Sequence, residues 1–426
     1  MPTWQAGPVS AEIILRRVEL TLAEPHRAAH GTVVARPTLI VGFHSDEDPP
    51  SPTAVSGWGE CPALPDPGYF YEYSAGAWAM LCDVLIPAVV ANGSLSPDAV
   101  ELAMSAVPWH PMARSALALA AEDLAARRRG ETLAQRWGAA TDTLPAGAAL
   151  SLRVVPERTS RDRSATIDQG EASARSNGTG TGTGTDAAIA DLAERAVELA
   201  QAGYRRLKIK IQPGADLVPL AAVVSALAVD GHGDVEVAAD ANASYRLDDP
   251  DHLDALLGLD NLGLAWLEQP LPSDDLVGHA RLAQRLDTPI CLDESVTSIG
   301  ALQTALALGL RPVVCVKAAR LGGPTPARQL LDWCHAVGLD AYVGGMLSSG
   351  IGRAADRALA GVAAANRVGD IGGDDRYFTE DLASPVAIDR EGRVPTVGVE
   401  GVAGLGVDVD VERLAKLTTN ERRWTL

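Results

Sequence analysis

The chain has 426 residues, 47% hydrophobic and 21% charged, a length that suggests two or three domains, although a single α/β barrel can absorb about 250 residues. Its 55 acidic and 36 basic residues give a formal net charge of −19, which argues against nucleic acid or an anionic membrane surface as partner. Five cysteines without a CxxC pair, and an N-terminus lacking a basic and then apolar leader, point to reduced thiols and a cytoplasmic protein.

In chain order, AEIILRRVELTL and TVVARPTLIVGF alternate as strands across the short polar link HRAAHG, and AVSGWGE follows as a third strand. Helices are expected near 74–92, 97–106 and 110–129. The apolar stretch 74–93 is broken by Asp83 and Pro87, so it reads as a buried helix and not a membrane span. Strands followed by helices make residues 1–140 a separate α+β domain.

From residue 141 to 382 the pattern changes to short apolar runs alternating with helical segments. The runs are ALSLRVV, RLKIKI, VEVAAD, LAWLEQP, PICLDES, PVVCVKA and DAYVGGM. The helix over DAAIADLAERAVELAQAGY takes Asp186 as N-cap and Gly203 just past its end. Strand-to-strand steps of about 25–30 residues fit a parallel (β/α) barrel. A doubly wound open sheet is the alternative, but no GxGxxG opens a helix here. Residues 157–185, polar and ending in Gly–Thr repeats, read as a disordered insertion. Residues 383–426 return as short strand-like pieces to the N-terminal domain.

The basic residues hold the sharper clue: 32 are Arg and only Lys208, Lys210, Lys317 and Lys416 are Lys. Lysine, unlike arginine, can release its proton when its site depresses its pKa. In LKIKI, period-two alternation puts Lys208 and Lys210 on one face, pointing into the barrel, and mutual repulsion should lower the pKa of at least one. Three carboxylates close successive apolar runs: Asp240, Glu268 and Asp293, with spacings of 28 and 25 residues. Converging at the C-terminal mouth, they would be costly without a cation. All-oxygen donors indicate Mg²⁺, with Mn²⁺ as alternative. Lys317, 24 residues further on, should reach the same mouth from the opposite side. Lysines flanking a metal suit removal of a proton α to a carboxylate. Lys416, in VERLAKL, reads as an ordinary surface lysine.

Together these residues resemble the enolase superfamily in its muconate-lactonising subgroup. GWGECPALPDPGYFYEY (57–73), ADANASY (239–245), LEQPLPSDDLVGHARL (267–282), GGMLSSGIGRA (344–354) and GGDDRYFTEDL (372–382) resemble the o-succinylbenzoate synthase / N-succinylamino acid racemase family in particular. The resemblance implies a modified TIM barrel, (β/α)₇β, under an α+β capping domain formed by the N-terminal region and the C-terminal tail. It implies Lys210 as the base, Lys208 assisting it, and Lys317 as a stabilising cation or a second base. Asp240, Glu268 and Asp293 would hold the metal. Asn242, Arg320, Gly345, Met346, Ser348 and Ser349 would face substrate, with Arg27 and His30 in a lid over Arg27–Gly31.

The implied activity is a Mg²⁺-dependent lyase: dehydration to o-succinylbenzoate for menaquinone biosynthesis through an enediolate. Racemisation of N-succinylamino acids is the alternative, and dipeptide epimerisation or muconate cycloisomerisation is less favoured by the tail motif. A small-molecule carboxylate is the expected partner, and a homo-oligomer the expected assembly. A non-catalytic barrel would have lost a lysine or a carboxylate, and none is lost. A Schiff-base aldolase would not need three aligned carboxylates. The chain departs from the family in HRAAHGT at the lid, Ala318-Ala319 after the late lysine, and Ser348-Ser349 where Glu-Thr is common.

Overall fold

A computed structural model describes residues 11–28, 31–45, 55–153 and 183–426. Strands β1 (Ala11–Ala28), β2 (Gly31–Ser45) and β3 (Val55–Cys61) form an antiparallel sheet. Side chains alternate across a strand, so this sheet serves two cores. Ile13, Leu15, Leu39, Val41 and Phe43 pack with the domain's own helices. Val18, Leu20, Leu22 and Ile40 face the barrel core.

The apolar segment after β3 is helical from Ser74 to Asn92, with a π-turn over Leu81–Leu85. Pro87 lacks the amide that would bond the Asp83 carbonyl, which accounts for the widened turn. Ala77, Leu81, Leu85, Ile86 and Val89 are buried, as expected of a core helix.

The barrel begins after the short strand β4 (Thr143–Pro145). Its seven parallel strands run in sequence order: β5 (Gly147–Leu150), β6 (Arg206–Lys210), β7 (Glu236–Asp240), β8 (Leu267–Glu268), β9 (Ile290–Leu292), β10 (Val313–Val316) and β11 (Ala341–Val343). Helices separate them, and each run expected to be a strand contains one, although β5 takes only Ala149–Leu150 of ALSLRVV. The eighth position of the modified barrel is irregular backbone. Arg367 N donates to Ala341 O and Asp370 N to Val343 O, while Gly147 N donates to Ile371 O. This segment therefore bridges β11 to β5. The approach is close enough that a Cβ on Gly147 would lie 2.2 Å from the Gly369 carbonyl oxygen.

The helix before β6 spans Thr183–Gln201. Asp186 thus sits in its first turn and is not its N-cap, a correction: the helix extends into the end of the Gly–Thr tract. Gly203, at φ +94°, ends it as expected. The insertion is helical over 183–185, and the rest of it lies outside the described residues. The C-terminal segment splits. Strand β12 (Arg393–Pro395) pairs with β4, and β13 (Thr418–Thr425) pairs with β1. Lys416 is exposed, 3.5 Å from Glu380.

Candidate active site

Pleat and register build the site. Lys210, Asp240 and Glu268 lie side by side in the ladder of β6, β7 and β8, so all three reach the same end of the barrel. Leu207 and Ile209 point the other way, into the helix-facing core. Asp293 and Lys317 follow the last residues of β9 and β10.

The lysines and carboxylates meet directly. Lys208 Nζ donates to Glu268 Oε1 and to Asp370 Oδ2, both at 2.7 Å, and lies 3.4 Å from Asp240 Oδ2. Lys210 Nζ donates to Asp240 Oδ2 and Asn242 Oδ1, also at 2.7 Å. Lys317 Nζ donates to Asp293 Oδ2 at 2.7 Å and to the Tyr69 hydroxyl at 3.1 Å. Four non-glycine residues around this mouth have positive φ: Asn242, Ala243, Gln269 and Leu347. Such backbone persists only where its surroundings dictate it, and it clusters at functional sites. Gln269 is one such bracket: its Oε1 accepts from the amides of Asp293 and Ser295.

Electrostatics narrows one expectation. Burial lowers the Lys208 pKa, but Asp370, Glu268 and Asp240 together hold it well above its ordinary value. Repulsion from Lys210 therefore does not make Lys208 an easy base. Lys317 is likewise held above its ordinary value, because Asp293 outweighs burial. Burial opposes the charge on Asp293, yet Arg320 and Lys317 keep it far below the usual carboxylate range. Burial, with Asp240 and Asp293 nearby, pushes Glu268 up to about 7 against the pull of Lys208.

The donor set fits a hard divalent cation. Asp240, Glu268 and Asp293 offer only oxygen and are all buried. Beside them Glu294 Oε2 is buried with no hydrogen-bond partner, an acceptor left for a cation. Glu268, Asp293 and Cys315 bring ligand atoms within 4.8 Å of one another, while Asp240 is held by Lys208 and Lys210.

One cavity is lined by Lys208, Lys210, Lys317, Asn242, Gly345 and Met346, all expected at the site. The other five residues expected to face substrate are not among its described lining. Arg320 is buried, donating to the Asp293 backbone carbonyl at 2.6 Å, to its carboxylate and to the Tyr69 hydroxyl. It braces Asp293 and does not face the cavity, because that buried carboxylate needs a second cation. Ser349 caps the helix Gly350–Ala360 and gives both its amide and its hydroxyl to Glu60. Ser348 lines two smaller cavities behind the first. Arg27 pairs through its backbone with Thr32 in the β1–β2 hairpin, and His30 lies outside the described residues.

Sequence reasoning missed Arg36, Tyr69, Asp370 and Tyr377, which also line the cavity, and Glu294. Glu294 had a signal, since it directly follows Asp293. Asp370 had none, because no apolar run precedes it on the irregular eighth segment.

Comparison with known proteins agrees with this architecture. Residues 191–414 match the enolase C-terminal domain-like family. An N-succinylamino acid racemase from Amycolatopsis sp is 33% identical, covering 95% of this chain and 96% of the relative. An o-succinylbenzoate synthase from Geobacillus stearothermophilus is 32% identical, covering 95% of each. A solved structure from Alicyclobacillus acidocaldarius, described as a probable mandelate racemase, superposes with a TM-score of 0.77 at 31% identity, covering 98% of this chain and 99% of that one. With a barrel of this topology and matches along nearly its whole length, the chain belongs to the enolase superfamily, in the family of o-succinylbenzoate synthases and N-succinylamino acid racemases.

Proposed function

We propose that the protein is a divalent-metal-dependent lyase that dehydrates a succinyl-bearing cyclohexadiene carboxylate to o-succinylbenzoate, a step of menaquinone biosynthesis. The observation that carries this reading is the placement of Lys210 and Lys317 in one cavity, each on a different member of the carboxylate cluster. Synthases among the relatives support the choice of reaction.

In this reading Lys210 Nζ takes the proton α to the substrate carboxylate, and Lys208 keeps a second positive charge beside it. Lys317 remains a cation and stabilises the enediolate from the other side. Asp240, Glu268 and Asp293 would hold Mg²⁺, or Mn²⁺ in its place. The bound ion supplies positive charge against which the substrate carboxylate can accumulate electrons. Five unpaired cysteines fit a reducing, cytoplasmic setting.

Racemisation of N-succinylamino acids is the second reading, favoured by the racemase relative from Amycolatopsis. Here Lys317 would act as a second base on the opposite face. Incubation in D₂O with Mg²⁺ and each substrate in turn separates the two readings. Dehydration without α-deuteration of N-succinylamino acids is expected for a dedicated synthase. Rapid exchange and racemisation without dehydration would overturn the first reading.

One positioning effect can be tested alongside. The Tyr342 hydroxyl donates to Glu268 Oε2 at 2.5 Å and Trp266 Nε1 to the same oxygen at 3.2 Å. Arg206 packs against both rings. Groups that orient a metal-binding carboxylate typically contribute about 10–100-fold in affinity. Tyr342→Phe is therefore expected to weaken Mn²⁺ binding about tenfold in an equilibrium titration, and unchanged affinity would remove Tyr342 from that role.

A further inference from the structure

Cys315 stands two residues before Lys317, so strand alternation gives both the inner face of β10. Val314 and Val316 point the other way, into the helix-facing core. The thiol is fully buried and unpaired, and it takes part in no hydrogen bond among the described residues. The end of the next strand leaves room for it. A Cβ on Gly344 would lie 2.4 Å from Cys315 Sγ and 3.0 Å from Lys317 Cε.

Cys315 Sγ and one oxygen each of Glu268 and Asp293 all lie within 4.8 Å of one another. Zinc takes sulfur at about 2.3 Å and carboxylate oxygen at about 2.0–2.2 Å, so donors this close can share one ion. Glu268 Oε1 accepts from Lys208, and Asp293 Oδ1 from Arg320. A carboxylate oxygen has two lone pairs, so each keeps one for a metal. Glu294 Oε2, on the residue after Asp293, is a further buried acceptor with no hydrogen-bond partner. Asp240 differs. Its Oδ2 faces the ammonium groups of Lys208 and Lys210, and its Oδ1 accepts from the Asn242 amide at 3.0 Å.

We propose that Glu268, Asp293 and Cys315 give the metal site a second binding mode, for a thiophilic divalent cation such as Zn²⁺ or Cd²⁺. The inference rests on the reading of the carboxylates as metal ligands. Mg²⁺ is served by oxygen donors alone, whereas a softer cation is selected by a thiolate. On binding, a metal–sulfur bond forms and the thiol proton leaves to solvent; nothing is oxidised or reduced. Both classes of ion need Glu268 and Asp293, so one displaces the other.

The test titrates Cd²⁺ into the full-length protein loaded with Mn²⁺. In the wild type an ultraviolet thiolate-to-cadmium charge-transfer band should grow to saturation as Mn²⁺ is released, the free ion being read by electron paramagnetic resonance. Cys315→Ser and Cys315→Ala should load Mn²⁺ as the wild type does and show no band. Cys291→Ser, which removes the thiol on the neighbouring strand β9, should keep it. Release of Mn²⁺ without a band in the wild type overturns the inference, as does a band that survives in both Cys315 variants. Loss of Mn²⁺ loading in both variants also overturns it, because the thiol would then be a structural part of the site. Failure of the wild type itself to load Mn²⁺ would instead defeat the reading of the carboxylates as metal ligands, and the inference with it.

Discussion

Lys210→Ala is expected to lower kcat for dehydration by about 10²–10⁴-fold, the contribution of a positioned general base. The protein should remain folded and still bind a divalent cation. The lysine ends in the cavity, donating to Asp240 and Asn242. In the variant Lys208 still lies 3.4 Å from Asp240. Steady-state kinetics, thermal unfolding and Mn²⁺ titration check the three parts. A variant retaining wild-type turnover would defeat the assignment of Lys210 as the base.

The second large effect is on stability. Glu60→Ala is expected to destabilise the protein by about 3–5 kcal/mol, the usual result of removing one partner from a buried charged network. Glu60 lies on β3, yet it accepts from Ser349 N at 2.9 Å, Ser349 Oγ at 2.7 Å and Gly352 N at 3.0 Å on a barrel helix. The first amides of a helix have no partner within it, so alanine would leave these buried donors unsatisfied. It would also remove the charge facing Arg36, whose guanidinium holds the carbonyls of Met346 and Pro62. Because Met346 lines the cavity, KM should rise as well. Urea unfolding measures the first effect and saturation kinetics the second. Glu60→Gln, which keeps the shape and one acceptor oxygen, should fall between alanine and wild type. Equal stability of all three proteins would show that this carboxylate does not join the sheet to the barrel.

How legible each feature was in the sequence follows from the physics that places it. Lys208, Lys210, Asp240, Glu268 and Asp293 lie on or just after regular strands, where period-two alternation and parallel register fix direction. Sequence spacing therefore carried their positions. Asp370 sits on irregular backbone, so no periodicity marks it. Glu60 meets Ser349 across 289 residues of sequence, through a contact between domains that local pattern does not encode. The raised pKa of Lys208 was likewise not legible: its neighbour Lys210 is visible in the sequence, whereas its partner Asp370 is 162 residues away. Arg320 illustrates a further limit. The family resemblance put it near the site, but only packing shows that it turns to Asp293.

The central claim is that Lys210 and Lys317 act on opposite faces of a substrate held at the carboxylate cluster. Its most direct test is α-deuterium exchange of the two N-succinylamino acid enantiomers in D₂O by Lys210→Arg and Lys317→Arg. In the racemase reading each variant exchanges one enantiomer and the two variants choose opposite ones, whereas a dedicated synthase exchanges neither, as wild type or as either variant. Exchange of the same enantiomer by both, or of both enantiomers by either, would contradict it.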